Sequence, residues 1–308
     1  MEIKGWRYYN HAAVPTCADH EEPDLTPILD GSIWQMDGSP LFAKYQTNFD
    51  IKKETPYWFI IKDGPFVFDE LTPKQRKHVR YYSKRCEVKQ IDPLEYIDEV
   101  YEVYVAAFAR YKGAYNKLNK QELIENIKQM NYECWAGYDV DSGRMAGWMF
   151  CMNNGDWTGT AISKYHPDYL KCRASDAIHL AILEHYLNVL GQRFVSSGTR
   201  NIGHETNVQE YKIQHWKFRK AYCLLHIEYA PKVKWVINLL YCIRGLLALM
   251  DSNKKIHMLN SVLKMEEIAR ECRRIEKQGT KWIYTGKAEL PDPEYNKKIR
   301  EFKQAQCK

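Results

Sequence analysis

A chain of 308 residues that is 45% hydrophobic, with 45 Lys and Arg against 39 Asp and Glu, can bury a sizeable core and does not have the composition of a disordered polymer. Its net charge of +6 is modest for the length, so charge alone favours anionic ligands without selecting a partner. The nine cysteines form no CxxC pair and no Cys/His spacing suited to zinc; no metal site and no disulfide framework is expected, and reduced thiols in the cytoplasm are the simplest reading.

The N-terminal stretch MEIKGWRYYNH lacks the apolar run of a signal peptide. Over the first ninety residues, short strand-like runs at Tyr57 to Ile61 and Phe66 to Phe68 alternate with Asp-Gly turns at Asp37-Gly38 and Asp63-Gly64, which predicts small β elements. Thr72-Pro73 has the form of an N-cap followed by proline at the first helical position, and the body that follows, from Lys74 to Arg85, is strongly basic.

A second helix start is expected at Asp92-Pro93-Leu94-Glu95, and Leu94, Ile97, Tyr101, Tyr104, Val105 and Phe108 recur at the steps of one buried helical face. Gln121 to Gln129 reads as a shorter helix. Strands are expected at Glu133 to Asp139, Arg144 to Cys151 and Trp157 to Ser163, joined by turns at Asp141-Ser142-Gly143 and Asn153-Asn154-Gly155. A helix from Ser175 to Leu190 closed by Gly191, a strand from Arg193 to Thr199, a helix from Thr206 to Lys217 and a strand from Tyr222 to Tyr229 complete the central part.

Trp235 to Met250 (WVINLLYCIRGLLALM) is shorter than the roughly 20 residues of a spanning helix and has Arg244 inside it. It is expected to be a buried or interfacial helix packed against the rest of the protein, with peripheral membrane contact as the minor alternative. Asn253 to Lys277 has mostly helical apolar spacing, and the segment after Pro291 is polar.

The order α, α, β, β, β, α, β, α, β from Leu94 onward resembles the GNAT superfamily of N-acyltransferases over about Glu87 to Tyr229. Asn207 opening a helix that finishes at Trp216-Lys217-Phe218 is similar to the GNAT pattern of an asparagine opening a helix that ends in Gly-Phe. Lys74 to Lys89 resembles the basic helix and valine strand of Fem-type aminoacyltransferases, and Ser163 to Leu183 resembles the "Asp/His-Pro-x-Tyr, then helix" junction of the FemAB-like acetyltransferase branch. The expected fold class is α/β with an α+β mixed sheet: an N-terminal β-rich region with a basic helix at 1–86, a GNAT-like acyltransferase domain at 87–230 and a helical C-terminal appendage at 231–308.

The resemblance implies an enzyme in which an acyl thioester or aminoacyl ester lies between two splayed strands and an amine, on a small molecule or a peptide, attacks its carbonyl. Acetyl-CoA or another acyl-CoA is the implied donor, with an acyl carrier protein or aminoacyl-tRNA as alternatives. His204 and Glu205 are the candidate bases, Asn207 a donor contact, and Lys171, Arg173 and Ser175 the candidate phosphate cradle at a helix N-terminus. Each also has a plainer reading: His204 and Glu205 as a solvated turn within a capping network, and Lys171 to Ser175 as a charged helix start. The junction Leu170-Lys171-Cys172-Arg173-Ala174-Ser175 lacks the glycines of the GNAT pyrophosphate loop, and Ile213 stands where those enzymes often place a tyrosine general acid. The basic Lys74 to Arg85 helix would serve tRNA or a carrier protein in a Fem-like aminoacyltransferase. A catalytically silent GNAT-fold binding module is the third reading, and His179 and His185 are read as structural.

Overall fold

Central strands buried on both faces, such as Met145–Asn153, and an alternating strand, Phe42–Ile51, build the sheet structure of this chain, whose computed structural model describes residues 1–110, 117–202, 208–251 and 253–285. In chain order it forms β1 (Trp6–Tyr9), β2 (Ala12–Pro15), α1 (Thr26–Leu29), β3 (Phe42–Ile51) and β4 (Tyr57–Asp63). There follow α2 (Pro73–Tyr82), β5 (Cys86–Ile91), α3 (Ile97–Phe108), α4 (Lys120–Met130), β6 (Glu133–Asp139), β7 (Met145–Asn153) and β8 (Trp157–Tyr165). The remainder is α5 (Ala174–Leu183), β9 (Phe194–Thr199), α6 (Val208–Trp216), β10 (Arg219–Tyr229), α7 (Pro231–Cys242), α8 (Arg244–Ala248) and α9 (Lys254–Thr285).

These elements fall into two compact units that do not follow chain order. One holds Met1–Trp58 and the chain from Ala221 onward; the other holds Phe59–Thr199 and a returning segment that ends at Lys220. In the first, β1 and β2 form an antiparallel hairpin, β2 runs parallel to β3, and β3 pairs antiparallel with β10 from Tyr222↔Ile51 to Tyr229↔Phe42. Trp6, Ala13, Ile33, Met36, Ala43 and Tyr45 form part of its core. His226 stacks on Tyr45 at 4.8 Å, and burial pushes its pKa down to about 4. A neutral imidazole there bonds Thr47 Oγ1 at 2.8 Å.

The second unit is mixed α/β. The strands β6, β7 and β8 form the expected antiparallel meander, β5 pairs antiparallel with β6 on its other side, β9 adds parallel to β8, and β4 pairs antiparallel with β9. Alternation along β6 separates two buried faces. Cys134 and Ala136 join Val100, Val103, Leu123, Ile127, Trp148 and Phe150 under α3 and α4, while Trp135 points the other way and donates its indole N–H to the Tyr186 hydroxyl at 3.0 Å. On that second face α5 comes so close to the sheet that a Cβ on Gly137 would lie 2.8 Å from Cys86 Sγ and 3.2 Å from Ala174 Cβ. Gly137→Val is therefore expected to cost about 1–3 kcal/mol through overpacking, read from the urea midpoint; an unchanged midpoint would show that α5 can retreat freely.

Capping decided several boundaries. Thr72 and Gln75 form a reciprocal capping box at the start of α2, as Thr72-Pro73 predicted, and Asn119 with Glu122 does the same for α4. At Asp92-Pro93 the expected helix start is displaced: the Asp92 carboxylate accepts from Leu94 N at 2.8 Å in a turn, and α3 begins only at Ile97. Phe66 to Phe68 is not a strand. Pro65 has no N–H to donate, and the backbone N–H and C=O of Phe66 instead pair with the side-chain amide of Asn188 at 2.8 and 2.9 Å. The helix expected to reach Leu190 is α-helical to Leu183 and continues in π-helical winding over Glu184–Val189 before Gly191 turns at φ +64.

The apolar Trp235 to Met250 segment also departs from expectation. It forms α7 and α8, and although Ile237 is buried, Trp235 is 82% exposed and Leu249 84%. Packing against the protein covers only its inner side. No helix among the described residues is long and apolar enough to cross a membrane.

Candidate active site

The ladder between the parallel strands β8 and β9 is short. It joins Trp157, Thr158 and Gly159 to Phe194, Val195 and Ser196, and no further pairs follow among the described residues. Beyond it β8 runs on for six residues along β7, from Thr160 to Tyr165, while β9 ends at Thr199, with Gly198 at φ +79 bending the chain away. The edge of β8 that faced β9 is thus left without a strand partner over Thr160 to Tyr165. The resemblance implied a gap between strands at this junction, and the ladder ends there after Gly159↔Ser196.

A lysine lies at the point where the strands part. Lys212, from α6, is only 4% exposed, and its ammonium donates to Ser197 Oγ at 2.7 Å and Thr160 Oγ1 at 3.2 Å. It sits 5.6 Å from the centre of the Phe218 ring, and no carboxylate pairs with it among the described residues. Burial lowers its pKa to about 8, with Cys151 opposing that shift. An ammonium has three N–H donors and two are used on hydroxyl oxygens.

Those bonds orient the hydroxyls. Thr160 Oγ1 donates to the Ser196 carbonyl at 3.2 Å, so its proton is committed. Ser197 Oγ accepts from Lys212, which leaves its own O–H to donate elsewhere, and Ser197 is half-exposed where Lys212 is not. The pair is a hydroxyl at the mouth of the gap polarised by a cation behind it. Composition and periodicity did not single out either residue. The available signal was that Lys212 and Trp216 are four apart on α6 and share its buried face.

Next to this centre is a second polar cluster. Asp176, 7% exposed in the first turn of α5, accepts from Arg173 Nε at 2.8 Å and from the Tyr211 hydroxyl. Burial raises the Tyr211 pKa, and the Asp176 charge adds to that shift. His179 is buried, donates Nδ1–H to the Ser175 carbonyl at 2.6 Å and stacks on Trp216, with its pKa pushed down to about 3 by burial. A neutral, stacked imidazole fits the structural role expected for it.

Of the residues singled out from sequence, His204, Glu205 and Asn207 lie outside the described residues. Lys171, Arg173 and Ser175 are brought together where a 3-10 turn at Pro167–Cys172 meets α5. Arg173, at φ +56, is held by Asp176 and lies over the Tyr82 ring at 5.3 Å. Lys171 is exposed and Ser175 half-buried in the first helical turn. On α2, Lys74, Lys77, Arg80, Lys84 and Arg85 of the basic run are exposed or follow it exposed, whereas Arg76 turns inward to the Asp69 and Leu71 carbonyls at 2.8 Å each. Among the described residues no group of three or more His, Cys, Asp or Glu side chains could hold a metal ion.

No protein-family model matches the chain, and no curated protein matches it in sequence. Solved structures with similar folds include the C-terminal domain of a lysylphosphatidylglycerol synthetase from Agrobacterium fabrum, at 10% identity and a TM-score of 0.48 over 75% of this chain and 82% of that one. FemX is similar at 9% identity and a TM-score of 0.48, over 64% of this chain and 74% of its own. A tandem GNAT protein from the clavulanic acid biosynthesis pathway is similar at 11% identity and a TM-score of 0.41, over 71% and 75%.

Proposed function

We propose that this chain is an acyltransferase that moves an acyl or aminoacyl group from an activated donor, an acyl thioester in the leading reading, to an amine. The observation that carries the reading is the Ser197–Lys212 pair at the opening between β8 and β9, where the ladder stops after Gly159. Acyl transfer needs an N–H or O–H donor aimed at the oxygen that becomes negative, in a site screened from water. Ser197 supplies an O–H at that place, and Lys212 strengthens it by holding the oxygen lone pair.

In the proposed reaction the amine nitrogen bonds to the carbonyl carbon and the carbonyl π pair moves onto oxygen, which accepts from Ser197. The C–S bond of the thioester then breaks, and the proton lost by the amine ends on the departing thiolate. His204 and Glu205 remain the candidate bases for that proton, with Asn207 as a candidate donor contact. Lys171 and Ser175 are the proposed anion contacts at the α5 N-terminus, Arg173 being already engaged by Asp176. The setting proposed for this chemistry is the cytoplasm.

One observation favours a second donor. The exposed cations Lys74, Lys77, Arg80, Lys84 and Arg85 would suit the phosphate backbone of an aminoacyl-tRNA, as in a Fem-like reaction, or an acidic carrier protein. Thermal-shift titration with acetyl-CoA, longer acyl-CoAs, phosphopantetheine and tRNA separates these donors, because a ligand that binds only the folded chain raises its melting temperature. A rise with an acyl-CoA supports the leading reading, and a salt-sensitive rise with tRNA alone supports the second. No rise with any, together with no amine acylation, would leave a binding module and end the acyltransferase proposal.

A further inference from the structure

We infer that α7 and α8 form a docking face for an anionic phospholipid bilayer, lying in the plane of its surface. The inner side of α7 is satisfied: Ile237 is buried, and Val233 and Leu240 are half-buried. On the outer side Trp235, Leu239, Leu246 and Leu249 are all at least 65% exposed. Trp235 and Leu239 lie one turn apart on α7, and Leu246 and Leu249 lie three residues apart at α8 and its C-cap, so each helix carries an exposed apolar pair on either side of the break at Ile243. Four large apolar side chains this exposed on two successive helices exceed the scattered single residues normal on a soluble surface and mark an interaction site.

Charge identifies the occupant. From Pro231 to Met250 there is no Asp or Glu, while Lys232, Lys234 and Arg244 are exposed on the same helices. Arg244 lies over the Tyr241 ring at 4.2 Å and is ion-paired with Glu267 at 3.5 Å, so Lys232 and Lys234 are the main cations of this face. A second copy of the chain would bring like charges together around the apolar contact, which opposes self-association. An anionic headgroup layer matches both features, because the cations meet phosphate and the Trp and Leu side chains enter the acyl boundary. With 12 and 5 residues, α7 and α8 are too short to span a bilayer and suit its surface.

The test is sedimentation of the full chain with vesicles of phosphatidylglycerol and phosphatidylcholine in equal parts, against vesicles of phosphatidylcholine alone. Wild type should pellet with the mixed vesicles, less at high salt, and Leu239→Glu with Leu246→Glu should weaken that partition about tenfold or more at an unchanged melting temperature. Should the double variant melt early, Trp235→Phe keeps the question open to measurement: the emission it removes should shift to the blue when mixed vesicles are added. Equal pelleting of wild type and a folded double variant, or equal pelleting with both vesicle types at every salt concentration, would overturn the inference. So would failure to bind vesicles combined with a concentration-dependent dimer that the double variant abolishes, since the face would then join two copies.

Discussion

Ser197→Ala should lower turnover about 100-fold or more, the usual cost of removing one donor to a developing oxyanion, with a much smaller change in the Michaelis constant. Lys212→Met should also lower it, by about tenfold or more, because the serine hydroxyl loses the cation that orients and polarises it. The two losses should not add, since both substitutions disable one donor. Stability separates this role from a structural one. Lys212 is buried with its pKa lowered to about 8 from 10.5, so folding pays to keep it charged at pH 7. Between about pH 8 and 10.5 the unfolded chain holds the proton and the folded chain does not, so wild-type stability rises with pH across that window. Lys212→Met removes the buried charge, and its melting temperature at pH 7 should equal or exceed that of wild type, the gap closing as pH rises. Because the ammonium is the active form, the rate should fall as pH rises through about 8. A rate that instead rose through that pH would make the neutral amine a base and overturn the assignment, as would a Ser197→Ala variant with full turnover.

Trp148→Ala should cost about 3–5 kcal/mol, the range for emptying a large aromatic site, a large share of the roughly 5–15 kcal/mol that holds a typical domain folded. Trp148 is fully buried in the core between β7 and the helices α3 and α4, stacks on Phe150 at 4.3 Å and donates its indole N–H to the Val100 carbonyl at 3.0 Å. Truncation opens a cavity and also removes the indole donor that this helical carbonyl accepts from in addition to its own helix. Trp148→Phe keeps most of the volume and should lose less, with about 1 kcal/mol of its cost from the missing bond. Urea unfolding of both variants checks the order, and a loss below about 1 kcal/mol for Trp148→Ala would mean that the core collapses around the site.

The Ser197–Lys212 pair explains why the candidate site was only partly legible. His204, Glu205 and Asn207 drew notice because their residue types gather beside a strand end, and Lys171, Arg173 and Ser175 because cations preceded a helix. Lys212 sits in VQEYKIQHW, where a lysine at that position reads as solvated. Only the approach of α6 to the parting strands buries it and sets two hydroxyls against its ammonium. Asp176 is a similar case, an ordinary first-turn acid until Tyr211 and Arg173 converge on it.

The sequence by itself determined the local elements: the capped start of α2, the meander β6–β7–β8 with its two turns, and the order that continues through β9, α6 and β10. Each follows from periodicity or from side chains bonding backbone within a few residues, so the information is local. The tertiary structure alone decided what depends on distant partners. Asn188 replaces a strand at Phe66 across 122 residues, the first ninety residues divide between two units with chain from Ala221 completing one of them, and the outer side of Trp235 to Met250 stays exposed among the described residues. Apolar spacing states that a face must be buried against something; which surface covers it, or whether any does, is set by contacts far apart in the chain.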